Sequence, residues 1–564
     1  MKVMRLLLVI TLVAVVAVTL TFSFKKKQPI RFDTILRNGT IYDGSGNDGY
    51  VGDIAINADT IATIGDLSNA IANIDIDITG LVVAPGFINM LSWAENTLLE
   101  DGTSMSDIKQ GVTLEVFGEG WSAGPVRRLS KKQADTLWTS LGGYFDYIQR
   151  KGVSCNVASF VGATTVRIHE MDYDNRKPTS TELAAMKRLV ENAMLDGAMG
   201  LGSSLGYTPA SFASTEELIE LCKVVSKYDG MYITHLRSEG DFIEEAIDEA
   251  LTIASQANIR TEIYHLKVNI ERNWSKIDRV LSIIDSAQRA GLKISANMYP
   301  YTASGTGLSS RLPAWVQEGG AREMRKRLRN PSLRKRVLYE MENGIPYQNS
   351  DPSKVRLMGF RLDSLNRLYR GKYLDEAARL HGKSADETVI DLIVRDKSRI
   401  EALYFLQTEE NVRKIIQQPY VSFGSDAGSY NLADTANLPD HPRTYGTFAR
   451  VIGKYVRDEK LVPLAESIRR LTSLPAANLR LERRGFLLPG YFADVTVFNY
   501  NDIKDLSTFE KPHQYSTGTI HVFVNGIQVL RDGNHTGARP GRVIFGPGYK
   551  GKASRHYSLD KPRK

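Results

Sequence analysis

A chain of 564 residues with 42% hydrophobic and 24% charged content can bury a large core, and its length fits one catalytic-sized domain plus a smaller one. The formal net charge is +8, but the basic residues are spread along the chain and no nucleic-acid-binding motif accompanies them, which argues against a nucleic-acid partner. Two cysteines, Cys155 and Cys222, exclude a disulfide framework and a thiolate zinc cluster.

The N-terminal "MKVMRLLLVITLVAVVAVTLTFSFKKK" sets an uncharged, mostly apolar run from Leu6 to Phe24 between basic flanks. Residues 1–28 therefore read as a signal peptide or membrane anchor. The run is long enough to span a membrane and lacks a clear small-x-small cleavage site, so anchoring by residues 6–24 and cleavage both stay open. Either predicts an exported protein, periplasmic or extracellular. Past Pro29, short alternating runs broken by Asn-Gly, Asp-Gly and Gly-Asn predict hairpin strands, and the same pattern returns in "GFLLPGYFADVTVFNYN" and "TIHVFVNGIQVLRDGNHTG". Residues 29–82 and 485–548 are expected to pair as one small composite β-sandwich domain.

Between these ends lie eight apolar strand-like runs, mostly separated by helical patterns. They are "LVVAPGFINML" from Leu81, "VTLEVFG" from Val112, "CNVASFVG" from Cys155, "GAMGLGSS" from Gly197, "MYITHL" from Met231, "IRTEIYHL" from Ile259, "LKISANMYPY" from Leu292 and "PYVSFGSDA" from Pro419. Helical spacing is clear in Phe242, Ile243, Ala246, Ile247, Ala250 and Leu251, and again in Val280, Leu281, Ile284 and Ala287. Eight alternating units predict an α/β fold, a (β/α)8 TIM-like barrel over residues 83–484. The gap before the eighth run is far longer than a connection needs and contains "AREMRKRLRNPSLRKRVLYEMEN", so a helical insertion is expected at about 305–415.

Barrels of this kind place their chemistry at the C-terminal ends of the strands. The polar residues there are Glu119, His235, His265 and Asp426. A single strand-end histidine is more often structural, but two at the ends of consecutive parallel strands, beside two carboxylates, suit a zinc-like cation with one carboxylate left as base.

The series "ILRNGTIYDGSG", "VVAPGFIN", "QGVTLEVFGEG", "DGAMGLGSSLGYTPASFAS", "YITHLRSEGD", "IYHLKV", "MYPYTASGT", "GSDAG", "HPRTYGTFARVIGKYVRDEKL", "TSLPAANLRL" and "GYFADVTVF" resembles the N-acyl-D-amino-acid deacylases (D-aminoacylases) of the metal-dependent amidohydrolases. The resemblance covers nearly all of the chain beyond the targeting segment. It implies a barrel with a composite β domain and zinc-dependent removal of the acyl group from N-acyl-D-amino acids. His235 and His265 then match the zinc ligands, and Asp426 matches the aspartate that activates water and protonates the leaving amine. Lys267, Tyr299 or Tyr301, and Arg443 match positions suited to the substrate carboxylate or acyl oxygen, the planar fork of arginine fitting a carboxylate.

Two departures from the family stand out. The family's "FIDxHxH" is here "FINMLSW", which puts Leu91 and Trp93 where histidines would hold a second metal, and neither can bind zinc. The family's "GNCG" is here "GEGW", with Gly120 at the bridging cysteine and Glu119 immediately before it. One divalent ion is thus expected, held by His235, His265 and Glu119, with Asp426, water or the more distant Glu95 completing the shell. Two other readings stay open: an amidohydrolase acting on a dipeptide or cyclic amide, and a non-catalytic membrane-tethered barrel that binds a related ligand.

Overall fold

The computed structural model describes Met4 and residues 30–127, 138–344, 350–434 and 438–551. Apart from Met4, the expected leader at 1–28 with its apolar run at 6–24 lies outside the described residues, and among those no helix is long and apolar enough to cross a membrane.

Five strands open the chain: β1 (Arg31–Ile41), β2 (Tyr50–Asn57), β3 (Thr60–Gly65), β4 (Ile71–Asp77) and β5 (Val82–Pro85). β1 pairs antiparallel with β2 along one edge, while on the other edge its first part pairs with β4 and its last two residues with β5. The division falls at a bulge after Leu36, where Asn38 takes φ 60° and its N–H donates to Asp53 Oδ1 (2.8 Å).

Parallel strands follow: β6 (Phe87–Asn89), β7 (Val112–Phe117), β8 (Asn156–Ser159), β9 (Val161–Gly162), β10 (Gly200–Ser204), β11 (Met231–His235), β12 (Arg260–Ile263) and β13 (Ile294–Met298). Nearly every residue in them is buried, as strands covered on both faces require. An interruption carries β14 (Ser304–Gly307), β15 (Val355–Gly359) and β16 (Glu401–Tyr404) before β17 (Val421–Phe423) rejoins the parallel set beside β13. β6, β7 and β8 form one run, and β9 to β13 with β17 another. Phe160, between β8 and β9, donates its N–H to Phe117 C=O (2.9 Å), so β8 and β9 act as one bent strand. At the far end Met90 N–H donates to Phe423 C=O (3.1 Å), which brings β17 alongside β6 and makes a ring of eight strand positions. The intervening helices present the apolar stripes read from the sequence: Ile277–Arg289 buries Ile277, Val280, Leu281, Ile284 and Ala287.

Two expectations change, and the pairing of the chain ends takes a definite form. The segment at 305–415 is not purely helical: β14, β16 and β15 make an antiparallel sheet that, with its helices, encloses a core including Leu308, Leu357, Val389, Ile390 and Tyr404. The two chain ends form one mixed nine-stranded sheet, in which Ile54 and Ile61 from the first end share a core with Val495 and Phe523 from the second. In it β18 (Val495–Phe498) pairs antiparallel with β5, and β19 (Thr519–Val524), β20 (Ile527–Arg531) and β21 (Asn534–His535) continue outward. The stretch up to residue 548 also leaves that sheet. Gly541 N–H donates to Val153 C=O (2.8 Å), Ile544 N–H to Val157 C=O (2.8 Å) and Gly546 N–H to Gly197 C=O (2.8 Å), so the tail is laced across the N-terminal end of the parallel strands.

That lacing needs a residue without a side chain, because a Cβ on Gly541 would meet the Cys155 carbonyl at 2.0 Å. Gly541→Ala is expected to cost about 2 kcal/mol by forcing the backbones apart. The midpoint of urea unfolding, compared with the parent, checks this, and an unchanged midpoint would show that the tail is held elsewhere.

Candidate metal centre

A cavity of about 1240 Å³ opens where the strand ends face the inserted sheet. Glu119, His235, His265 and Asp426 line it from the strands, and Gly305, Met358 and Leu403 line it from the insertion.

Glu119 follows β7 through Gly118, which takes φ 109°. His235 is the last residue of β11, and His265 lies two residues beyond β12. His235 Nδ1, His265 Nε2 and Glu119 Oε1 stand 2.9 Å from one another, all three side chains buried. Among the described residues this is the one cluster of three or more such groups that converges tightly enough for an ion. Two imidazole nitrogens and a carboxylate oxygen suit zinc, whose bonds of about 2.0–2.1 Å would open the triangle to roughly 3.3 Å on each edge.

Gly120 stands at the position that the resemblance gives to a bridging cysteine. Its φ is 73°, and a Cβ there would come 2.0 Å from Ser204 Oγ, so position 120 admits no cysteine in this backbone. Glu95, the more distant candidate, is not part of the triangle. Burial pushes its carboxyl up to about 8.

Two site residues adopt left-handed backbone conformations, His265 at φ 34° and Asp426 at φ 50°. Local bonds hold both: His265 N–H donates to Asn297 Oδ1 (2.9 Å) and Asp426 N–H to Leu91 C=O (2.8 Å). Backbone strain of this kind is kept where the surroundings over-determine it, as around a site.

Glu239, which the sequence reading passed over, completes the electrostatics. Its Oε1 accepts from Lys267 Nζ (2.5 Å) and lies 3.1 Å from His265 Nδ1, and its Oε2 accepts from Asn269 Nδ2 (3.1 Å). The signal was present in "THLRSEGD", four residues past His235. Burial disfavours charge on His265, and Lys267 opposes it further, but Glu119 and Glu239 outweigh both and push the imidazole up to about 10. Burial would likewise raise Glu119, yet the two histidines hold it at about 2. With His265 protonated, two carboxylates balance one ammonium and one imidazolium.

Asp426 faces the same cavity. Its Oδ1 accepts from Trp93 Nε1 (3.0 Å) and its Oδ2 from Arg443 NH1 (2.5 Å). The Arg443 guanidinium lies over the Tyr299 ring at 4.8 Å. His441, also missed from sequence, is kept neutral by burial and by Arg443, accepting from Arg443 N–H (3.1 Å) and contacting Ala303 C=O through Nε2 (2.9 Å). Lys267, Tyr299 and Arg443 line the cavity, whereas Tyr301 does not. It is buried against Arg450 (4.7 Å), His441 and Phe509. Leu91 is buried in an apolar cluster with Met90, Leu114 and Ile233, whereas Trp93 lines the cavity.

Residues 341–530 match the amidohydrolase family. D-aminoacylase of Alcaligenes xylosoxydans xylosoxydans is 34% identical over 522 residues, 91% of this chain and 97% of that protein. The chain belongs to the N-acyl-D-amino-acid deacylase family. Among solved structures, one of D-aminoacylase, concerned with one-metal activation and second-metal attenuation at its binuclear centre, has a TM-score of 0.76 at 31% identity, covering 91% of this chain and 100% of that one. The N-acyl-D-glutamate deacylase of Bordetella bronchiseptica, complexed with zinc and a phosphonate mimic of the tetrahedral intermediate, has a TM-score of 0.75 at 28% identity, with the same coverage.

Because an ion must displace the proton on His265, binding at pH 7 is expected to release about one proton per ion. Calorimetric titration of metal-free protein in buffers of different ionisation enthalpy measures the number, and zero release would mean the ion-free imidazole is neutral. Glu119→Gln keeps the volume but offers a poorer donor, so metal affinity is expected to fall at least about tenfold while the fold survives. Unchanged occupancy by elemental analysis would remove Glu119 from the ligand set.

Proposed function

We propose that this protein is a metal-dependent hydrolase cleaving the amide bond of N-acyl-D-amino acids, working in a TIM-like (β/α)8 barrel with one divalent ion, most simply zinc. The observation that carries the reading is the convergence of Glu119, His235 and His265 on one point of a cavity that Asp426 and Arg443 also line. A bound ion supplies Lewis acidity toward the amide carbonyl and lowers the pKa of water.

The chain's own groups account for the remaining work. Asp426 takes the proton of the attacking water and returns it to the leaving amine, as a positioned carboxylate can do in both directions. Its two hydrogen bonds, from Trp93 and Arg443, set the plane of the carboxylate before substrate arrives. Arg443 offers a planar fork to the substrate carboxylate, held in place by the Tyr299 face. Lys267 stays an ammonium: burial lowers it, but Glu239 more than restores it. It adds positive potential near the acyl oxygen.

We further propose that residues 1–28 export the chain to the periplasm or extracellular side, with the membrane as a partner if residues 6–24 are retained. Fractionation of cells making the full chain checks this, a cytosolic pool without membrane-bound or exported protein being the contrary result.

Asp426→Asn is expected to fold and hold metal while losing about a hundredfold or more in turnover, since the amide accepts no proton. Rates on N-acetyl-D-amino acids, their L enantiomers, dipeptides and hydantoins identify the substrate class. Near-parental turnover of the variant would overturn the role of Asp426, and preference for a dipeptide or cyclic amide would overturn the deacylase reading.

A further inference from the structure

The indole of Trp93 occupies the cavity wall at one of the two positions where the family would carry second-metal histidines, and it is not merely a filler. Its Nε1–H donates to Asp426 Oδ1 at 3.0 Å. The ring is fixed relative to that carboxylate by the backbone: Trp93 N–H donates to Ala427 C=O (2.9 Å), Asp426 N–H donates to Leu91 C=O (2.8 Å), and Ser92 and Ala427 form a parallel bridge. Asn89 Oδ1 accepts from Ser425 N–H (2.9 Å), adding a side-chain tie to these backbone ones. The residue before the bridge partner, Leu91, is 1% exposed and packs into the apolar interior.

We propose that Trp93 is a positioning residue for Asp426, a neutral N–H donor that takes the place of a second metal on the general base and makes the centre mononuclear by construction. The inference rests on the deacylase reading for its kinetic part only. Three physical arguments carry it. A carboxylate with a donor on each oxygen has its plane fixed, and Asp426 has Trp93 on one oxygen and Arg443 on the other. A second cation would have to displace one of those donors and would find Leu91 and Trp93 where it needs nitrogen ligands. An indole N–H orients the base without adding a second full positive charge to the one that Arg443 already places beside it.

Two measurements test the proposal. Metal-free parent protein titrated with zinc to a hundredfold excess is expected to bind one ion, read by elemental analysis after removal of free metal, with no loss of turnover at the excess. A second retained ion would overturn the proposal, and this count stands whether or not N-acyl-D-amino acids prove to be the substrate. Trp93→Phe keeps an aromatic ring and removes the donor. It is expected to retain one ion and to lower kcat about tenfold with KM within about twofold, the size of effect of one neutral hydrogen bond. In the Asp426→Asn background the same change is expected to cost less than twofold, because its effect passes through the carboxylate. An unchanged kcat in Trp93→Phe, or an equal loss in both backgrounds, would show the indole to be a packing residue. Should the parent hydrolyse none of the N-acyl-D-amino acids, the function reading fails, while the single-ion count still decides whether Trp93 closes the second site.

Discussion

Residues 89–93 and 423–427 are joined by a run of hydrogen bonds, and the site exists because of it. Met90 N–H reaches Phe423 C=O, Asp426 N–H reaches Leu91 C=O, and Trp93 N–H reaches Ala427 C=O, all within 3.1 Å. The seam closes only because position 424 is glycine: a Cβ there would lie 2.7 Å from the Leu91 Cβ. Through these bonds the first and last parallel strands meet, the left-handed Asp426 is held in place, and a residue beside the first strand touches one beside the last. Strand pairing and catalytic geometry are here the same constraint.

A second constraint is charge. Glu119, Glu239, His265 and Lys267 are all buried, and isolated charges at such depth would be expensive. They persist because they neutralise one another, which fixes the arrangement into which a divalent ion would fit by exchanging with a proton. The same logic covers Asp426 and Arg443, paired across the cavity. A site built from balanced pairs is rigid, and rigidity suits a reaction in which the base must meet water at one angle.

The inserted sheet of β14, β15 and β16 has its own core and supplies much of the cavity's opposite wall. The two sides of the cavity therefore come from different parts of the chain: Glu119, His235, His265 and Asp426 from the parallel strand ends, and the far wall from the insertion. The charged helices of the insertion keep their basic faces outward, with Arg336 stacked on Trp315 and ion-paired to Glu340.

Local periodicity made most of the fold legible. Buried parallel strands carry continuous apolar runs and amphipathic helices repeat near 3.6 residues, so the eight units, the strand-end histidines and Asp426 could be read in order. Patterns of that range say nothing about partners far away in sequence. Tyr299 and Tyr301 look equivalent in "YPY", yet Tyr301 N–H bonds back to Tyr299 C=O (3.0 Å) across Pro300, and this tight turn sends one ring into the cavity and the other beneath it. Glu239 was passed over because Lys267, which gives it its place, lies 28 residues away. The length of the insertion was plain, but its strands were too short and mixed to announce themselves. Composition and motif thus determined the kind of scaffold and the polar residues that end its strands. Only the tertiary structure decided that Gly120 leaves no room for a thiolate, that Glu119 stands in its place and that Trp93 binds Asp426. Each of these is a contact between segments tens to hundreds of residues apart, set by how the ring of strands closes.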